Sequence, residues 1–137
     1  MKHIQLSVIH QRVVWAAVLV VEKRIDELSQ ILYDIPDENI YKVESDLTPQ
    51  QIEQAKTALQ NAKAFIKELS EKYELKKEVT QLSRITQTTQ YQIWEALSDT
   101  ISKLKSSYGD FTEEEHPEEL KEDLNKLIAF TEKLTHD

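Results

Sequence analysis

Four histidines and a few spaced carboxylates are the residues in this chain from which chemistry could be built. His3, His10, His116 and His136 are scattered between the two termini and one connector. His3 and His10 share a helical face about two turns apart, too far to hold one metal ion without ligands from elsewhere. Glu113 and His116 have the Glu-x-x-His spacing of di-iron bundles, but such sites need two copies, and here a single copy sits at a helix entrance marked by Pro117. There is no cysteine, which excludes disulfides, thiolate metal sites and cysteine nucleophiles. With one glycine, a phosphate-cradling loop or a nucleophile elbow is excluded as well. A phosphotransfer histidine would need a glycine soon after it, and none of the four has one.

Glu68 with Glu71, and Glu95 with Asp99, resemble in spacing the carboxylate pairs by which all-α nucleotide pyrophosphohydrolases hold magnesium. Spacings of this kind arise in any acidic helix, and Lys67, Lys72 and Lys103 stand beside them as surface salt-bridge partners. No catalytic residue, metal site or cofactor is expected, and the protein is expected not to be an enzyme.

The elements that carry these residues are helical. In 137 residues there are three prolines, 31% charged and 39% apolar residues, a composition for one helix-rich domain spanning residues 1–137. Val13 to Val21 is apolar throughout, so a helix there must be covered on every side. At nine residues it is far short of the ~20 that span a bilayer. Lys and Arg follow it without a small-residue cleavage pattern, which argues against a signal peptide and for a cytoplasmic protein with no membrane partner.

The first helix is expected over about Ile4 to Tyr33, with a core seam of Val14, Val18, Val21, Ile25, Leu28 and Leu32, and an end set by Ile35-Pro36. Thr48, Pro49 and Gln51 predict a capping box with proline in the first helical position, and the second helix then carries Ile52, Ala55, Leu59, Ala62, Ile66, Leu69 and Tyr73. The apolar phase jumps at Leu75, which means either a turn near Ser70 to Lys76 or one very long helix with an exchanged face; compactness favours the turn. The third helix runs through Ile93, Trp94, Leu97, Ile101 and Leu104 to Tyr108, with Gly109 as a left-handed cap. Its polar run Thr86 to Gln90 is expected to face solvent; the alternatives are a register-fixing polar layer or part of a ligand groove beside Trp15 or Trp94. The fourth helix follows Pro117 with Leu120, Leu124, Leu127, Ile128 and Leu134. These elements predict an all-α fold, an antiparallel up-down-up-down four-helix bundle.

Two surfaces carry the functional expectation. Ile9, Val13, Ala16 and Val20 form a second apolar stripe opposite the core seam, which calls for a cover: a second copy, another protein or an enlarged core. Segment 110–123 holds eight acids, among them Glu113, Glu114, Glu118 and Glu119, against Lys121 alone, in a chain of net charge -8. In such a bundle this segment and acidic residues 34–46 would share one end, giving an acidic pole. Nucleic acid is disfavoured as a partner, because no basic cluster is present to meet phosphates. The leading expectation is a non-enzymatic protein–protein interaction or assembly module that forms a homodimer through the first helix. The alternative is an acidic inhibitor or immunity-type protein that captures a basic protein partner through 110–123.

Overall fold

The computed structural model describes residues 2–106 and 109–135. Among these residues the secondary structure is all-α, with helices α1 (Val8–Tyr33), α2 (Pro49–Lys72), α3 (Leu82–Ser106) and α4 (Pro117–Glu132), and one 3-10 turn, Glu113–Glu115. Among the same residues no helix is long and apolar enough to cross a membrane. The chain divides into two units, Met1–Lys77 and Glu78–Asp137, and each is described by itself.

In the first unit α1 begins later than periodicity alone suggests. Ser7 is the N-cap, its side chain accepting the His10 amide at 3.2 Å, so residues 4–6 precede the helix as an arm. The helix ends at Asp34, whose amide still reaches the Gln30 carbonyl, and Ile35-Pro36 cannot continue it. The predicted capping box opens α2: the Gln51 amide donates to Thr48 Oγ1 at 3.1 Å and the Thr48 amide to Gln51 Oε1 at 2.9 Å, with Pro49 next in the chain. α2 stops at the expected turn. Tyr73 is the C-cap, Glu74 takes a left-handed φ of 54°, and the Leu75 amide returns to the Ser70 carbonyl at 2.9 Å, the long bond of a Schellman motif.

The remaining carbonyls at the end of α2 are met from the other end of the unit. The Ile4 amide donates to Lys72 O at 2.8 Å, His3 Nδ1 to Glu71 O at 3.1 Å, Gln11 Nε2 to Glu74 O at 2.9 Å and Trp15 Nε1 to Lys76 O at 2.7 Å. Farther along, Asp26 meets Lys63, and Tyr33 meets Gln60. α1 and α2 therefore run antiparallel, with Ile25 and Ile66 buried between them.

The α2 seam is the expected one, but the α1 seam is rotated. Val14, Val18, Ile25 and Leu32 turn inward as expected, together with Trp15 and Leu19, whereas Val21 and Leu28 are exposed and Glu22 and Ser29 are half-buried in their place. The physical reason is that the apolar residues run all round the helix, so polar partners select the face: Trp15 reaches the Lys76 carbonyl and Glu22 and Asp26 reach Lys63 of α2 in this rotation.

In the second unit α3 starts at Leu82, after an exposed stretch that includes Val79. Its seam is Thr86, Gln90, Ile93, Leu97, Ile101 and Leu104, all half-buried, so two residues of the polar run face inward and only Gln87, Thr88 and Thr89 lie open to solvent. Gly109 has the expected positive φ, 84°. Tyr108 and His136 lie outside the described residues. Thr112 caps the 3-10 turn through a box with Glu115, His116 adopts a left-handed φ of 49°, and Pro117 opens α4. α4 packs on α3 through Leu120, Leu124, Ile128 and Thr131, while Leu127 and Leu134, expected on that seam, are exposed.

Candidate functional site

At about 100° per residue, Ile9, Val13, Ala16 and Val20 lie on the side of α1 directly away from Val18 and Ile25, the residues that face α2. All four are exposed, Ile9 by 73%, Val13 by 64% and Val20 by 59%. The stripe covers three helical turns and stops at Arg24 and Glu27, which pair with each other at 3.3 Å. An apolar row of this length on a solvent-facing helix has no role in holding α1 to α2.

The two long sides of this helix pair differ in chemistry. On one, Lys63 Nζ meets Asp26 at 2.7 Å and Glu22 at 3.4 Å, Lys56 lies 4.5 Å over the Tyr33 ring, and Gln60 donates to the Tyr33 hydroxyl at 3.1 Å. The hydrogen bond that Lys63 donates to Asp26, followed by the charge of Glu22, holds the Lys63 ammonium above its usual 10.5 against partial desolvation. On the other side stand Val21, Leu28 and Phe65, exposed by 50%, 45% and 57%. Their placement follows from spacing: Leu28 and Phe65 each come two residues after a member of the Asp26–Lys63 pair, which carries each about 200° round its helix. Phe65 was invisible to periodicity because it flanks the α2 seam beside Ile66. The signal that could have found it is the alternation of Lys63 with Phe65 across that seam.

In the second unit Glu113, Glu114, Glu118 and Glu119 are all exposed. Glu118 and Glu119 occupy the first turn of α4, where carboxylates offset the positive end of the helix dipole. Glu118 also lines a pocket of about 270 Å³ with Lys121 and the apolar side chains of Ile101, Leu104, Phe111, Pro117, Leu120 and Leu124. The size falls just under the ~300 Å³ at which small-molecule sites begin. Its walls are mostly apolar, with Glu118 and Lys121 as the charged groups, so the space suits an apolar group.

The residues weighed for chemistry are dispersed. His3 is tied to the end of α2, His10 is exposed on α1, and His116 is the left-handed residue before α4. Asp99 pairs with Lys103 at 2.9 Å, as a surface ion pair. Among the described residues no three His, Asp or Glu side chains are gathered as a metal ion would require. No protein-family model, curated protein or solved structure matches this chain.

Proposed function

We propose that this protein is a non-enzymatic interaction module that self-associates through α1, with a second copy of the chain covering Ile9, Val13, Ala16 and Val20. The observation that carries the reading is the exposure of Ile9, Val13 and Val20 along one line of a helix whose opposite side is already packed. An exposed apolar row is the kind of surface a partner covers, the more so where neighbouring apolar residues enlarge it. Ala16 at the middle of the row leaves room for another backbone to come close. A twofold pair is the simplest closed arrangement, since the same patch then serves both copies.

The magnitudes place the association near balance. Fully burying an aliphatic side chain is worth ~1.5–3 kcal/mol, so covering what Ile9, Val13 and Val20 still expose contributes ~3–6 kcal/mol per copy. Two copies reach ~6–12 kcal/mol against ~4–15 kcal/mol for lost translational and rotational freedom. The stripe alone supports a weak dimer.

Sedimentation equilibrium of the full chain over a hundredfold concentration range tests the reading. The wild type is expected to associate with increasing concentration, and Val20→Glu to sediment as a monomer with unchanged helicity by circular dichroism. A wild type that stays monomeric throughout refutes self-association. Loss of helicity in Val20→Glu would instead mean that Val20 supports the fold of its own chain.

A further inference from the structure

Resting on that self-association, we infer that the interface extends round α1 onto α2, and that a second copy covers Val21, Leu28 and Phe65 together with the stripe, so that one helix pair packs on another. The argument is one of area. At ~60–120 Å² per aliphatic side chain, the exposed parts of Ile9, Val13 and Val20 offer ~120–240 Å² per copy. Interfaces are about 60% apolar, so this corresponds to ~200–400 Å² in all, short of the ~600–1,000 Å² per partner of a stable dimer. The exposed parts of Val21, Leu28 and Phe65, an aromatic side chain being worth ~150–250 Å², add about as much apolar area again and bring the total to ~400–800 Å².

Chemistry selects which side of the helix pair is used. The side carrying Lys63 with Asp26 and Glu22 would have to bury ion pairs that are now about half exposed, and their desolvation opposes association. Val21, Leu28 and Phe65 bring no charge with them and lie beside the buried Ile25 and Ile66, and the neighbouring Arg24–Glu27 pair, exposed by 78% and 63%, is open enough to stay hydrated at the rim. Covering them closes the open side of that small core. Phe65 adds the aromatic member of the patch, a residue type enriched where proteins meet. The occupant is a second copy because both contributions, the stripe and the side face, then serve twice in one closed contact.

Two measurements on the full chain decide it. In sedimentation, Phe65→Lys is expected to weaken self-association at least tenfold at unchanged helicity. In a chain without native cysteine, Ala58→Cys stands on the same line of α2 as Phe65, while Thr57→Cys stands on the face away from α1. Maleimide labelling of Ala58→Cys is expected to slow at concentrations where the dimer forms, and labelling of Thr57→Cys to stay constant. If Phe65→Lys associates like the wild type while Val20→Glu is monomeric, the extended interface is overturned and the stripe alone remains. A wild type that never associates removes both. Should Phe65→Lys lose helicity, the Ala58→Cys labelling decides: equal rates at low and high concentration overturn the inference.

Discussion

Ile66→Ala should remove about 2 kcal/mol from the unit formed by residues 1–77. Ile66 is 7% exposed and faces Ile25 across the α1–α2 seam, so nearly the whole side chain is shielded from water. Truncation to alanine deletes three carbons at ~0.8 kcal/mol each, ~2.4 kcal/mol for full burial. The cavity left behind adds little, because half-buried neighbours can relax into it. Alanine is the better helix former by a few tenths of a kcal/mol, which trims the loss to ~2 kcal/mol. Trp15 is the reporter: its indole N–H is bonded to the Lys76 carbonyl, so its emission follows the separation of the two helices. Urea unfolding of the Trp94→Phe background at low protein concentration isolates that signal and keeps association out of the measurement. Phe65→Ala is the control, since more than half of Phe65 already meets water. A cost for Phe65→Ala equal to that for Ile66→Ala, or a loss under ~0.5 kcal/mol for Ile66→Ala, would show that the seam described here does not hold the helix pair together.

The remaining predictions concern the end of α2 and its ion pair. Glu74→Gly should stabilise the unit by up to ~1 kcal/mol, because a non-glycine residue at φ 54° carries a steric penalty of ~1–2 kcal/mol that the entropy of glycine only partly offsets; a lower urea midpoint would contradict this. Lys63→Met should cost at most ~1 kcal/mol at neutral pH, since the Lys63 side chain is 46% exposed and its partners are also open to solvent. The folded-state pKa of Lys63 is raised, so its contribution is fully present below its ordinary value of 10.5 and is lost as pH rises through the higher folded value. The difference in urea midpoint between wild type and Lys63→Met should therefore shrink at strongly alkaline pH, and a difference that grows there would contradict the assignment.

What could be read from residues alone follows from where local chemistry decides the outcome. The start of α2 was legible because Thr48, Pro49 and Gln51 satisfy its first amides within four residues. The left-handed Gly109 was legible for the same reason. The end of α2 was visible only as a jump in apolar phase, because Glu74 occupies the left-handed position that glycine would have announced. The rotation of α1 was legible only in part: Val14, Val18, Ile25 and Leu32 turn inward as their spacing predicts, but Val21 and Leu28 do not. From Val13 to Val21 every position is apolar, so hydrophobicity alone does not say which face meets α2, and the choice involves polar partners distant in sequence, Lys76 for Trp15 and Lys63 for Glu22 and Asp26. The same choice exposes Val21 and Leu28. The stripe of Ile9, Val13, Ala16 and Val20 was legible as a row, since its spacing does not depend on which neighbour α1 chooses; its continuation through Phe65 required the helix pair.

The ties from His3, Gln11 and Trp15 to residues 71–76 join parts of the chain 61 to 68 positions apart. All three are exposed to solvent and close a long loop, which places them among the contacts that open locally at low cost. They act as a latch, and the seam where the leading arm meets the close of α2 is the natural doorway for solvent exchange and for proteolytic attack. A bulky tag attached ahead of His3 would prop that doorway open.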